Sequence, residues 1–398
     1  MNKLQELIRE LCPDGVEYKK LGELLDYEQP TKYIVKSTEY ETSYDIPVLT
    51  AGQTFILGYT NETFGIYKAS QENPTIIFDD FTTSFHWVDF EFKIKSSAMK
   101  MLRPKGTFDG YFKYVYYAMK CIKYEAIDHT RHWISKYSQF EIPVPPLEIQ
   151  EEIVRILDHF TNLAAELQAE LQARKEQYEY YRNKLLTFDK IGGGTQSVTW
   201  MKMSEIGTFI RGKRFVRTDI VSDGVPCIHY GDMYTYYGLY TNQSKGRLRS
   251  ELASKMRYAQ KNDVVIVAAG ENKEDIGIGL AWIGDEPAAV HDACFIFRSD
   301  LYPQYVSHYL RSDYYHKQIV KYVSEGKICS ISAKGLGNAI IPVPPYEEQV
   351  RIATLLNNFD ALVGDLTEGL PAEMAAVQEQ YEYYRNKLLS FPRIQISA

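Results

Sequence analysis

Apolar and aromatic residues recur at three- and four-residue steps in two separate stretches of the chain. In the first, Ile153, Ile156, Phe160, Leu163, Leu167, Leu171, Tyr178, Tyr181 and Leu185 mark one face, with the spacing of a coiled-coil seam. A stutter between Leu167 and Leu171 coincides with the tandem AELQ of Ala165 to Gln172. In the second, Ile352, Leu355, Phe359, Leu362, Leu366, Leu370, Met374, Val377, Tyr381, Tyr384 and Leu388 carry two such stutters. Each stretch starts behind a Pro-Pro pair, which keeps the preceding residues extended and frees a helix to begin. Gly369 and Pro371 interrupt the second seam. A proline inside a helix costs roughly 3 kcal/mol, so a kink or short break is expected there. At 1.5 Å per residue the first helix, Leu147 to Phe188, reaches about 60 Å. Two long helices far apart in sequence have partners in each other, and antiparallel pairing would hold the flanking segments at opposite ends of a stalk.

The chain also repeats itself. Ile142 to Pro146 and Ile341 to Pro345 both read IPVPP, followed by LEIQ and YEEQ, and Gln177 to Leu186 recurs letter for letter as Gln380 to Leu389. The offset grows from 199 to 203 residues between these anchors, which the extra stutter absorbs without changing the buried face. A looser echo links VEYKKLGEL from Val16 to VTWMKMSEI from Val198. Ahead of each long helical stretch lies a segment with short β-rich runs, PTIIF (Pro74 to Phe78) and FEFKIK (Phe90 to Lys95) in the first, VVIVA (Val264 to Ala268) and CFIF (Cys294 to Phe297) in the second. Helical patterns follow around Tyr111 to Ile122 and Tyr302 to Val323. The expected fold class is α+β: two mixed α/β domains separated by two long helices in an antiparallel coiled coil, with a pseudo-two-fold internal repeat. The expected segments are 1–141 (N-terminal helix and first domain), 142–190 (central helical spacer), 191–197 (the linker IGGGTQS), 198–340 (second domain) and 341–398 (C-terminal helical spacer).

The 398 residues, 45% hydrophobic, are enough for more than one core and exclude a disordered tail. Charge changes the picture once it is divided. The net −7 separates into −2 for Val16 to Glu141, +3 for Val198 to Ile340 and −8 for the remainder. The acidic excess belongs to the helices and ends, leaving the globular segments free to meet a polyanion through local patches. Arg211, Lys213, Arg214 and Arg217 form one such patch, and Lys245, Arg247 and Arg249 another. The five cysteines are scattered without a CxxC pair, against zinc sites and a secreted disulfide scaffold and in keeping with a reducing cytoplasm. Neither an export signal nor an apolar run long enough to span a membrane is expected.

Catalytic apparatus is not expected. Pro13-Asp14 with Glu17-Tyr18-Lys19 has too short a gap for the two-strand carboxylates of metal-dependent nucleases. Val343-Pro344-Pro345-Tyr346 has the outline of an amino-methyltransferase loop, but valine cannot accept the hydrogen bonds of a target amino group. No phosphate-binding glycine loop occurs. Asp79-Asp80 with His86, and His291-Asp292, read as turn residues or base-contacting groups in preference to acid–base or metal sites.

The repeated IPVPPLEIQ/IPVPPYEEQ and QYEYYRNKLL elements resemble those of the DNA specificity subunits of type I restriction–modification systems, over essentially the whole chain. IPVLTAGQTFILGYT from Ile46, with TIIFDDFT and FKIKSSAMKML, is similar to one type of target-recognition domain in that family. VPCIHYGDMYTYYG from Val225, AAGENKEDIGIG from Ala268 and SEGKICSIS from Ser324 are similar to another. The resemblance implies a non-catalytic subunit that reads a bipartite double-stranded DNA target and docks two adenine-methylating modification subunits, with restriction subunits able to join. It has no cofactor of its own; S-adenosylmethionine, ATP and Mg2+ are expected on those partners. Carried over by position, the DNA-contact candidates are Thr50, Gly52, Gln53, Lys68, His86 and Lys95 in the first domain. In the second they are Arg211, Lys213, Arg214, Tyr230, Lys245, Lys273 and Lys327. Tyr178, Tyr180, Tyr181, Tyr381, Tyr383 and Tyr384 are candidates for helix pairing and modification-subunit contact, with internal packing favoured for Tyr181 and Tyr384, which fall on the seams. A methylation-only complex and a coiled-coil scaffold without DNA binding are the alternatives.

Overall fold

A computed structural model describes residues 2–52, 54–124, 130–188, 198–364 and 369–394. The linker over 191–197, Gln53 and Leu366 lie outside the described residues. The chain divides into two compact units, Met1–Glu166 with Met374–Ala398, and Leu167–Glu373.

In the first unit, Glu17–Lys20 pairs antiparallel with Glu141–Val144. A four-stranded sheet follows, in the order Leu25–Glu28, Met99–Pro104, Thr75–Asp79, Phe85–Val88. Thr75–Asp79 reads TIIFD, β-branched and aromatic residues of the kind that fill a central strand, and its first four residues are buried. A three-stranded sheet places Ile46–Leu49 between Ile56–Thr60 and Lys93–Ile94, antiparallel to the former and parallel to the latter. The long helix Leu147–Thr187 buries Ile149, Ile153, Val154 and Leu157 in this unit's core, beside Leu21, Tyr114 and Tyr117. Leu388, Leu389 and Phe391 join the same core.

The helix start explains the repeated glutamine. Gln150 Nε2 donates to the Pro145 carbonyl at 2.7 Å, its Oε1 accepts from the Tyr111 N–H at 2.8 Å, and the Tyr114 hydroxyl donates to the Pro143 carbonyl at 3.0 Å. One side chain thus joins the Pro-Pro turn to the lead-in of the helix Phe112–Met119.

The second unit repeats this plan. Thr199–Lys202 pairs antiparallel with Ile340–Val343. Gln349 bonds the Pro344 carbonyl at 2.9 Å and the Tyr302 N–H at 2.9 Å, and the Tyr305 hydroxyl donates to the Pro342 carbonyl at 3.0 Å. One sheet runs Gly207–Arg211, Cys294–Ser299, Val264–Val267, Gly279–Trp282, Tyr240–Thr241; the other runs Ile220–Val221, Gly246–Leu248, Val225–Ile228, Ala288–Val290, Tyr258–Ala259. Apart from the added edge strands, both sheets have the order and pairing sense of their counterparts in the first unit. The sequences are not close copies, yet the topology is shared.

The second helical stretch is two helices, Tyr346–Gly364 and Leu370–Leu388. Pro371 stands in the first turn of the latter, where a missing N–H breaks no helical bond. Among the described residues, no helix is long and apolar enough to cross a membrane.

Candidate nucleic-acid interface

In the first unit the parallel pairing sets Val48 against Lys93 and Leu49 against Ile94, so Thr50 and Lys95 leave the sheet together. The Lys95 N–H continues the ladder to the Leu49 carbonyl at 3.1 Å, and its ammonium donates to the Tyr40 hydroxyl at 3.0 Å. The Thr50 hydroxyl closes its loop onto the Thr54 carbonyl at 2.5 Å. His86 Nε2 lies 3.0 Å from the Gly52 carbonyl, which can only accept, so that nitrogen carries the proton. The imidazole packs on Phe55 with ring centroids 4.7 Å apart, and burial lowers its pKa, keeping it neutral. Thr50, Gly52, His86 and Lys95 therefore belong to one loop cluster. Lys68 is held apart in an exposed ion pair with Glu91 at 2.6 Å.

The same position in the second unit is occupied by two histidines. Cys227 pairs with Ala289 and Ile228 with Val290 in parallel register, bringing His229 and His291 out side by side with ring centroids 4.7 Å apart. Tyr230 packs 4.7 Å from His229 and 5.1 Å from His291, and Phe215 lies edge-on to both. Burial, then His291, then Arg217 push the His229 pKa down to about 4; burial likewise lowers that of His291. Both rings are neutral at pH 7.

Cations surround this pair. Asp232, 5% exposed, holds Lys245 at 3.1 Å and Arg217 at 3.7 Å. Arg211 Nε donates to the Asp292 carbonyl at 2.9 Å, the Lys213 N–H donates to the Val290 carbonyl at 2.9 Å, and Arg214 is near enough to His291 to lower its pKa. Five candidates, Arg211, Lys213, Arg214, Tyr230 and Lys245, thus gather around the histidines. Lys273, ion-paired with Glu325, and the exposed Lys327 sit in a different loop pair beside the strands Ala269–Gly270 and Cys329–Ser330. Sequence reasoning missed His229, Phe215, Asp232 and Tyr40; aligning IPVLTAG with VPCIHYG would have found the first.

Residues 13–176 and 197–376 each match the family model for the type I restriction modification DNA specificity domain.

The chain belongs to this family.

It is 42% identical over 411 aligned residues to the EcoR124I/EcoR124II type I restriction enzyme specificity subunit of Escherichia coli, covering 99% of this chain and 98% of that one. A putative type I restriction enzyme specificity subunit of Haemophilus influenzae is 30% identical, over 94% of this chain and 96% of its own. In fold it is similar to the crystal structure of the specificity subunit from M. genitalium, with a TM-score of 0.55 at 15% identity, covering 94% and 96% of the two chains.

Within this specificity subunit the six repeat tyrosines divide. Tyr178 is buried with its hydroxyl 3.3 Å from His308 Nδ1, Tyr181 stacks on Phe359 at 5.7 Å, Tyr384 stacks on Phe160 at 5.5 Å, and Tyr381 packs against the first unit's core. Tyr180 and Tyr383 remain 58% exposed, each beneath a lysine ammonium, Lys184 or Lys387, 5.4 Å from its ring.

Among the described residues, no three His, Cys, Asp or Glu side chains are grouped to hold a metal ion. Asp79 caps the backbone N–H groups of Phe81 and Thr82, both at 2.9 Å. Asp80 accepts the Trp133 N–H at 2.7 Å and pairs with buried Lys100 at 3.2 Å, so both carboxylates are occupied structurally.

Proposed function

We propose that this specificity subunit reads a bipartite double-stranded DNA sequence, one half-site per unit, and docks two adenine methyltransferase subunits, with restriction subunits able to join. Chemistry is delegated: S-adenosylmethionine, ATP and Mg2+ belong to those partners, and this chain contributes recognition without catalysis. The observation that carries the reading is the recurrence of one polar loop cluster, at the ends of the same two parallel strands, in two units of shared topology. Loops set on a rigid sheet end suit groove-edge readout, while Arg217 and Lys245 suit phosphate anchoring. In this proposal the helix Leu147–Thr187 pairs with the C-terminal helices as an antiparallel coiled coil that spaces the half-sites. The unit boundary at Glu166/Leu167 falls inside the tandem AELQ, where a change of length would act on spacing.

Duplex binding by the purified complex tests the proposal. Affinity for target duplex should fall more than tenfold between roughly 50 and 200 mM salt, through release of counterions from the contacted phosphates. Salt-independent binding, or none, would contradict it.

A further inference from the structure

We propose that His229 is a specificity-determining residue of the second unit, its Nε2–H a fixed hydrogen-bond donor to purine N7 on the major-groove edge of that unit's half-site. This rests on the DNA-reading function proposed above and goes beyond it in naming the atom and the base edge.

The ring's orientation is set by its surroundings. His229 follows directly on Ile228, the last residue of a strand paired on both sides. The ladder continues past it, the His291 N–H donating to the Ile228 carbonyl at 3.1 Å. Nδ1 of His229 accepts the Gly231 N–H at 3.2 Å, so in the neutral ring the proton is on Nε2. Phe215, Tyr230 and His291 pack around the imidazole at centroid distances of 5.9, 4.7 and 4.7 Å. His229 is 6% exposed, so a ligand meets only what this packing leaves open. Nε2 has no partner among the described residues and is not sealed; the buried side-chain nitrogens left without partners there are the Nε atoms of Arg182, Arg311 and Arg385.

His291 has a different part. Its Nδ1 accepts the Ala293 N–H at 3.1 Å and lies 3.3 Å from Asp292 Oδ1, while the Phe215 ring packs edge-on to it at 5.1 Å. A proton on Nδ1 would serve Asp292 but oppose the Ala293 N–H, and burial already disfavours the charged ring. His291 is thus a positioning residue that holds the His229 ring plane.

The first unit supplies the contrast. Its equivalent of His229 is Thr50, whose hydroxyl is occupied by the Thr54 carbonyl. One backbone address carrying different side chains is what two dissimilar half-sites require, and a single donor to N7 distinguishes purine from pyrimidine without separating adenine from guanine.

The test uses the complex with its modification subunits. H229N keeps an oxygen able to accept the Gly231 N–H but lacks the group at Nε2. Methylation mapping should show one position of one half-site relaxing from purine to any base in H229N, with the other half-site unchanged. For wild type, a duplex carrying 7-deazapurine at that position should bind on the order of tenfold more weakly, and H229N should lose that discrimination. An unchanged motif in H229N overturns the proposal. If H229N does not fold, equal wild-type affinity for every singly substituted 7-deazapurine duplex overturns it independently. Absence of any split motif with wild type would instead overturn the DNA-reading function on which it rests.

Discussion

Tyr384 stacks on Phe160 with ring centroids 5.5 Å apart and planes 23° from parallel, joining the last helix to the first half of the central one within a single unit. The second unit holds the repeat-related pair, Tyr181 on Phe359, at 5.7 Å and 21°. Each aromatic pair is worth roughly 0.5–1.5 kcal/mol beyond its area burial. Replacing Tyr384 with alanine should therefore cost about 1–3 kcal/mol, and an F160A/Y384A double-mutant cycle in chemical denaturation should return a coupling of about 1 kcal/mol.

The C-terminal segment is a structural part of the first unit. The Tyr18 hydroxyl donates to the Phe391 carbonyl at 2.7 Å, the Val16 N–H to the Pro392 carbonyl at 2.9 Å, and the Phe391 side chain lies in the core. F391A should destabilise this unit by roughly 3 kcal/mol or more. Denaturant unfolding should show a loss confined to one transition if the two units unfold separately.

Acid should weaken the fold through its buried imidazoles. His308 donates from Nε2 to Asn357 Oδ1 at 2.8 Å and faces the Tyr178 hydroxyl through Nδ1, and burial drives its pKa down to about 4. The unfolded chain, with histidine near 6.5, binds the proton more readily. The contribution is therefore intact above that value, declines by up to roughly 1.4 kcal/mol per pH unit as pH falls, and is fully lost below about 4. A thermal midpoint that drops between pH 6.5 and 4.5, and drops less in H308Q, is the expected result.

Tyr180 and Tyr383 are exposed, repeat-related and paired with lysines, which suits two copies of one partner. Alanine at either should leave the thermal midpoint nearly unchanged and weaken co-purification of one modification subunit on the order of tenfold. The double variant should lose both.

Much of this architecture was legible in the sequence because it repeats. IPVPP, the glutamine four residues beyond it, and YEYYR recur at nearly constant offset, and each marks a junction that the structure builds twice. The shared sheet order was not legible. Its strands are two to six residues long, too short for period-two patterning to fix their pairing. The His229/His291 pair was hidden for a related reason: parallel strands place side by side residues that a long crossover separates in sequence. Periodicity put Tyr181 and Tyr384 on a seam, where their stacking partners now appear, but could not show that Asp232 is buried between two cations.

The most direct test of the central claim is single-molecule methylation mapping of host DNA, with this chain co-expressed alongside a modification subunit. Wild type should give a split adenine motif that is absent without the chain. Deleting Ala169 to Gln172 should keep both halves and shorten the spacer by one or two base pairs, since four helical residues span about 6 Å against ~3.4 Å per base pair. An unsplit motif, no chain-dependent methylation, or an unchanged spacer in the deletion would contradict the account.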